Sequence, residues 1–476
     1  MTANYLAFDL GAESGRAVLG HLKNGLLEIK DVSRFPNGPV QQPGSLRWDI
    51  LRLWSEIRKT LDHPPVDDLT SIAFDTWGVD YALIGEQGQL LENPYHYRDH
   101  RTDGMVEAVC NIVGREKIYS LTGIQFMPIN TLYQFYAASL ATPRLIEAAD
   151  TLVTIPDLFN YWLTGNLGAE YTNATTTQFM DAQTRSWATG IFDDLNLPTR
   201  LLPQIFEPGA IIGKFNQTPV VVPACHDTGS AVAAVATQGR AAFLSSGTWS
   251  LLGTEVSAPV MTPRALELNF TNEGGVCGAT RLLKNIGGLW LLQSCRRDWL
   301  KRGNDYTYDD LLDAARAESH SFTSLINPDH PSFLSPSSMV EAIEAFCART
   351  NQPAPETPGA ATKAILESLA FRYRMVLEWL EELVGYRLEE IRIIGGGSKN
   401  RLLNQFTANA TGRPVIAGPV EATALGNIAM QMLATGGVSS LDDARAIIGR
   451  SFPTDRFEPE HTGEWEKQYQ RFKTLC

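Results

Sequence analysis

The N-terminal stretch of the chain alternates short apolar runs with small polar breaks. Tyr5 to Asp9 and Arg16 to Leu22 are separated by Gly11-Ala12-Glu13-Ser14-Gly15, and Leu26 to Ser33 follows Asn24-Gly25, a dipeptide that favours two-residue hairpins. These runs predict three strands in a meander. From Trp48 to Leu61 the period becomes helical, with Ile50, Leu51, Trp54, Ile57, Arg58 and Leu61 in step, and Thr70 to Asp75 reads as a buried strand. The order β-β-β-α-β predicts a mixed sheet rather than a βαβ dinucleotide-binding unit.

A related pattern begins at Arg240, where the apolar run Ala241 to Leu244 passes through Ser245-Ser246-Gly247-Thr248 into a second apolar run, Trp249 to Gly253. It repeats the strand–turn–strand order of the N-terminus loosely, which fits two lobes of similar construction or coincidence. Thr237-Gln238-Gly239 interrupts an alanine-rich run, so the boundary is expected near residues 235–240, giving lobes of 1–238 and 239–476. Asn327 to Ser338 and Gln352 to Gly359 read as loops, and Ala360 to Leu383 as a long helix with Ile365, Leu369, Tyr373, Val376 and Leu380 on one face. Leu388 to Ile394 then predicts a strand, Gly395-Gly396-Gly397 a turn, Lys399 to Ala410 a helix, and Glu421 to Leu433 a last helix after Gly418-Pro419.

Composition narrows the function classes. A length of 476 residues exceeds what one core serves and suits two domains. A formal charge of -13 disfavours nucleic-acid backbones and anionic membranes as partners, although backbone N–H groups and a cation can still hold a polyanion locally. The six cysteines form no CxxC pair, which argues against a disulfide framework or a zinc knuckle. No signal-like start and no membrane-length apolar run are present, so the expected location is cytoplasmic, with a monomer or a homodimer equally compatible.

Four segments can carry chemistry. Asp9-Leu10-Gly11-Ala12-Glu13-Ser14-Gly15-Arg16 joins two strands; it reads as a plain hairpin or as a phosphate cradle in which Asp9 organises hydrated Mg²⁺. No GxxxxGK[ST] motif occurs. Gly395-Gly396-Gly397-Ser398 joins a strand to a helix, which suits a merely tight connection or a nucleotide lying against the main chain. Cys225-His226-Asp227-Thr228 follows the apolar strand Val220 to Val222, so Asp227 is either a helix cap or a general base, with His226 orienting substrate. Asp75-Thr76-Trp77-Gly78-Val79-Asp80 sets polar groups in an apolar stretch; Trp77 can face a sugar, and Asp75 and Asp80 can bind an ion or hydroxyls, or the segment is a β-turn with a packed tryptophan. Asn285 and Gln293 flank the apolar run Ile286 to Leu292, either aimed at a cleft or structural.

Taken together these segments resemble the FGGY family of carbohydrate kinases over nearly the whole chain. The most specific portions are Phe74 to Asp80, Pro94-Tyr95-His96-Tyr97-Arg98-Asp99, His226-Asp227-Thr228 and Ser245 to Ser250, while Thr271-Asn272-Glu273-Gly274-Gly275 and Leu283-Lys284-Asn285-Ile286 to Gln293 add length. The resemblance implies an α/β fold of two actin-like, ribonuclease H-like lobes with a cleft between them, and transfer of phosphate from ATP, with Mg²⁺, to a ketose or polyol. It implies Asp227 as base, with Gly78, His226, Asp227, Thr228 and Asn285 at the sugar. Ala12, Glu13, Ser14, Gly15, Arg16, Thr248, Gln293, Gly396 and Gly397 would bind ATP. Glu13 departs from the pattern, which often has serine there; a carboxylate beside polyphosphate is unfavourable unless it turns away or assists the cation. A noncatalytic sugar or nucleotide sensor on the same frame is the alternative reading, but it gives no reason to keep Asp227. A chaperone-like ATPase would need a peptide-binding module, and no extra region supplies one.

Overall fold

The computed structural model describes residues 2–235, 240–334 and 336–476. The boundary expected at Thr237-Gln238-Gly239 lies outside the described residues. The chain forms two units that interleave in sequence: Met1–Ala236, Glu255–Leu282 and Ala422–Phe452 make the first, and Thr237–Thr254, Leu283–Glu421 and Pro453–Cys476 the second.

The first unit opens with the expected meander, β1 (Thr2–Leu10), β2 (Ser14–Lys23) and β3 (Leu26–Pro36), followed by helix α1 (Ile50–Asp62) and β4 (Leu69–Thr76). Helix α1 begins two residues later than its periodicity suggests. The Asp49 side chain accepts from the Arg52 N–H and so caps it, leaving Trp48 at the end of the short strand Ser45–Trp48. Helices α2 (Ile155–Thr164) and α3 (Tyr171–Thr176) come next, then β5 (Ile211–Phe215), β6 (Thr218–Val221) and α4 (Asp227–Ala233). The sheet order is β5-β6-β4-β1-β2-β3, with β1 antiparallel to β2 and parallel to β4. β1 is buried along almost its whole length, as befits a central strand covered on both faces. Leu6, Phe8 and Leu10 share one core with Ile50, Leu53 and Ile57 of α1 and with Leu158 and Phe159 of α2.

The second unit repeats this construction. β7 (Ala241–Ser246) is antiparallel to β8 (Trp249–Val256) and parallel to β10 (Glu390–Ile394), as β1 is to β2 and β4; β9 (Thr280–Gly287) lies beyond β8. Between β9 and β10 run α5 (Trp290–Lys301) and the 27-residue α6 (Pro358–Val384). Helix α6 carries its limits in sequence, with Thr357 capping, Pro358 at the first position and Gly385 left-handed at the end. The segment after Ile394 departs from expectation. Gly396–Lys399 is a 3₁₀ turn, and α7 (Arg401–Thr411) starts only after Asn400, whose side chain accepts from the Leu403 N–H. The three glycines therefore do not sit at an α-helical N-terminus. β11 (Val415–Ala417) leads to α8 (Ala422–Ala434), which returns to the first unit; β12 (Asp455–Phe457) closes the second sheet beside β11.

Helix α8 covers the face of the first sheet opposite α1. Gln431 accepts from the Ser71 hydroxyl and donates to the Leu6 carbonyl, and a Cβ at Gly20 would lie 2.8 Å from Ile428. It also meets α4 with almost no space, because a Cβ at Gly426 would stand 1.7 Å from the Ser230 carbonyl oxygen. Among the described residues no helix is long and apolar enough to cross a membrane.

Candidate active site

The ends of β1, β4 and β6 bring three sequence-expected segments together in the first unit. Asp9 and Asp75 are register partners on parallel strands, and the Thr76 N–H donates to the Cys225 carbonyl at 2.9 Å, tying the end of β4 to the segment that precedes α4. Asp227 is the first residue of α4, and the flanking cap position is His226. The cap reading of Asp227 thus gives way to a carboxylate in the first turn of the helix. Its Oδ1 accepts from the Thr228 N–H and hydroxyl at 2.5 and 3.2 Å and lies 3.4 Å from His226 Nε2. All three contacts fall on Oδ1.

Two buried carboxylates hold this segment from below. Glu170 accepts from the Cys225 N–H at 3.0 Å, from the Thr172 N–H and hydroxyl and from the Asn173 N–H; the Thr172 hydroxyl oxygen in turn accepts from the His226 N–H at 3.2 Å. Asp157 accepts from the Glu170 N–H and the Thr154 hydroxyl. Burial pushes both carboxyls up, each to about 7, against the hydrogen bonds from Thr154 and Thr172. Since the unfolded chain ionises first as pH rises, the stability these groups contribute is complete below about pH 4 and is lost as pH climbs through about 7. The melting temperature should therefore fall between about pH 5 and pH 8, and Asp157→Asn should flatten part of that slope; a flat wild-type profile would refute the linkage.

The phosphate-turn residues occupy the β1–β2 hairpin. The Gly11 N–H donates to the Ser14 carbonyl at 2.9 Å, and Asn37 braces the turn by donating its amide to the Gly11 carbonyl and its N–H to the Glu13 carbonyl. Ala12 is partly buried, while Glu13 and Ser14 are exposed. Gly15 has a packing reason to be glycine, since a Cβ there would lie 2.3 Å from the Phe35 ring. Arg16 donates from Nε and Nη2 to Asp9 Oδ2 at 3.0 and 2.7 Å and lies 3.8 Å from Asp31. Asp75 is wholly buried and accepts from the Asn427 amide at 2.6 Å. Burial, with the neighbouring Asp9 next, raises its carboxyl well above the usual range and favours its protonated form.

Trp77 and Asp80 are structural, contrary to the sugar-facing and ion-binding roles considered from the sequence. The Trp77 ring is 5 % exposed and stands 4.0 Å from that of Trp48. Asp80 accepts from both indole N–H groups and from the Gln134 amide, which accounts for both its oxygens; burial lifts its carboxyl to about 6. Gly78 meets Thr176, whose hydroxyl oxygen also accepts from the N–H of Val79. Val79 has φ 66°, a costly conformation for a β-branched residue, and it is held by the Thr131 hydroxyl donating to its carbonyl at 2.6 Å.

In the second unit, the turn after β7 and the turn after β10 lie side by side. A Cβ on Gly397 would come within 2.1 Å of the Ser246 hydroxyl, and Gly395 adopts φ 80° next to the Ser246 carbonyl. The Gly247 and Thr248 carbonyls accept from the Leu289 and Trp290 N–H groups, which seats this turn on the start of α5, the helix carrying Gln293. Thr248, Gln293, Gly396 and Gly397 are thus gathered on the second unit's sheet and α5. Gln293 Oε1 is buried and lacks a hydrogen-bond partner among the described residues. Asn285 is in β9 of the same unit, beside Lys284, whose ammonium is lowered to about 8 by burial and then by Arg372. Glu170, Thr172 and Asn427 were not singled out from sequence; the only cue is a charged or amide group set in an otherwise apolar or small-residue stretch.

Residues 4–225 match the N-terminal domain of the FGGY family of carbohydrate kinases, and residues 242–435 match its C-terminal domain. The chain is 43 % identical over 487 aligned residues to a rhamnulokinase of Bacteroides thetaiotaomicron, covering 99 % of each protein, and 41 % identical to one of Oceanobacillus iheyensis, covering 94 % and 96 %. Its fold is similar to that of a xylulose kinase from Lactobacillus acidophilus, with a TM-score of 0.81 at 19 % identity over 100 % of this chain and 97 % of that one. A Plasmodium falciparum glycerol kinase superposes with a TM-score of 0.78 at 16 % identity, over 99 % and 97 %.

Proposed function

Because the chain belongs to the FGGY family of carbohydrate kinases, we propose that it transfers the γ-phosphate of ATP to O1 of L-rhamnulose, giving L-rhamnulose 1-phosphate and ADP in the cytoplasmic breakdown of L-rhamnose. The sugar is inferred from the full-length relatives. The chemistry rests on one observation: the Asp227 carboxylate has all its described contacts on Oδ1. Oδ2 then accepts the proton of the sugar hydroxyl as its oxygen forms the bond to Pγ and the bond from Pγ to the ADP oxygen breaks. His226, Thr228, Gly78 and Asn285 are assigned to holding the sugar.

ATP fits the groups gathered in the second unit. The Gly397 main chain packs directly on Ser246 with no side chain between them, and the buried Gln293 amide oxygen, without a hydrogen-bond partner among the described residues, has capacity for a nucleotide. The exposed hairpin from Ala12 to Ser14, with Gly15 and Arg16, is assigned to the phosphates. Mg²⁺ would arrive on the nucleotide, since it keeps several waters and binds through few carboxylates. Bound there it would offset phosphate charge, with Asp9 its contact through water.

The test is an ATP-dependent assay over L-rhamnulose, L-fuculose, L-xylulose, D-xylulose and glycerol, with the phosphorylated position assigned by NMR. L-rhamnulose is expected to have the highest kcat/KM, and its product to carry phosphate on carbon 1. Exclusive turnover of another acceptor would remove the assigned sugar and leave the kinase reading intact.

A further inference from the structure

The His226 imidazole is gripped on the side away from Asp227 by two charged residues that the reaction above does not use. Glu273 lies in the strand Thr271–Gly274 and Arg281 near the start of β9, 6 % and 0 % exposed. Arg281 donates from Nε to the Gly274 carbonyl at 2.8 Å, so the backbone sets the direction of its guanidinium. Its Nη2 lies 3.2 Å from His226 Nδ1 and 3.2 Å from Glu273 Oε2, and that Oε2 is 3.3 Å from the same Nδ1. Nε2, across the ring, faces Asp227 Oδ1 at 3.4 Å.

A guanidinium only donates and a carboxylate only accepts, yet both meet one ring nitrogen. Arg281 Nη2 is in hydrogen-bond contact with Nδ1, and Glu273 Oε2 pairs by charge with both Arg281 and the ring. Donation to Nδ1 needs a lone pair there, so the neutral ring carries its proton on Nε2, pointing at Asp227. A doubly protonated ring would present Nδ1–H to Glu273 and still present Nε2–H to Asp227. The remaining tautomer would set a lone pair against the Asp227 carboxylate, and Arg281 opposes it. Burial works against the charge on Glu273, but Arg281 and His226 outweigh it and hold the carboxyl below its ordinary value, so the buried group is balanced.

We propose that Arg281 and Glu273 are positioning residues that fix the Nε2–H tautomer of His226, which thereby occupies Asp227 Oδ1 and leaves Oδ2 to receive the sugar proton. His226 transfers no proton in this scheme. The proposal rests on Asp227 being the base, and its test separates the two. In the full chain labelled with ¹⁵N-histidine, two-bond ¹H–¹⁵N spectra report each tautomer, and His226→Gln assigns the signal by removing it. The neutral ring is expected to carry its proton on Nε2; a proton on Nδ1 overturns the proposal whatever the activity, and this readout stands even if the variants below fail to fold. The combined variant Glu273→Gln with Arg281→Met removes both charges. It is expected to mix the tautomers, lower kcat by about 10-fold or more with the KM for ATP unchanged, and move the acidic limb of the kcat profile to higher pH, because a carboxylate with fewer donors is a stronger base. Arg281→Lys, which keeps the charge, should recover part of kcat. A folded double variant with wild-type kcat and limb overturns the proposal. Asp227→Asn with undiminished kcat would instead sink the base and leave the tautomer result standing.

Discussion

Asp227→Asn should fold like the wild type, bind ATP with little change and turn over roughly 10²- to 10⁴-fold more slowly, a barrier increase of about 3–5 kcal/mol. The substitution keeps an oxygen at Oδ1, so the contacts with Thr228 survive and α4 retains its first turn. What disappears is the basic oxygen. An amide nitrogen at the Oδ2 position cannot accept the hydroxyl proton as the oxygen attacks phosphorus, whereas the electrostatic help given to the phosphates is untouched. Steady-state kinetics with both substrates varied separate these effects. A kcat within threefold of wild type would remove Asp227 from the chemistry.

Gly426→Ala is expected to lower the melting temperature by about 2–4 °C, more than any surface change. Alanine in a helix interior is normally preferred over glycine by up to about 1 kcal/mol. Here the new methyl would stand 1.7 Å from the Ser230 carbonyl oxygen, a backbone atom that moves only if α4 and α8 separate. Overpacking of this kind costs about 1–3 kcal/mol and exceeds the propensity gain. Because α4 begins at Asp227, kcat should fall as well. Scanning calorimetry checks the first effect; a raised melting temperature would mean the helices have slack.

Elements are legible in the sequence where turn and cap residues punctuate the apolar pattern. β1 to β4 are bounded by glycine or small polar breaks and α6 by Thr357-Pro358 and Gly385, and their limits agree within a few residues except at caps: Asp49 and Asn400 each start a helix later than the apolar pattern begins. Between β4 and β6 a helix buried nearly all round is hard to read; Thr131–Ala141 has Thr131 to Phe135, Ala137 and Ala138 buried, which erases the polar face that marks a helix. The interleaving of the two units is equally invisible in sequence, since most of the second unit separates α8 from the first sheet, and contacts such as Gly426 on Ser230 and Gln431 on Ser71 reveal its place.

The candidate site was legible where chemistry sits in compact motifs and illegible where it depends on distant partners. Asp227, His226 and the two glycine turns stand out locally. Trp77 and Asp80 stand out equally, yet Trp48 and Gln134 from other segments absorb them into the core. Glu170, which holds the Cys225 N–H, lies 55 residues from it in sequence, and Arg281 lies 55 from His226, so no spacing rule connects them.

The decisive measurement is a crystal structure of the full chain holding L-rhamnulose and a non-hydrolysable ATP analogue. Asp227 Oδ2 should lie within about 3.2 Å of the sugar O1, with that oxygen facing the terminal phosphorus. If O1 instead meets a different basic group, with position 227 out of hydrogen-bonding reach, another residue takes the proton and the proposed mechanism is wrong.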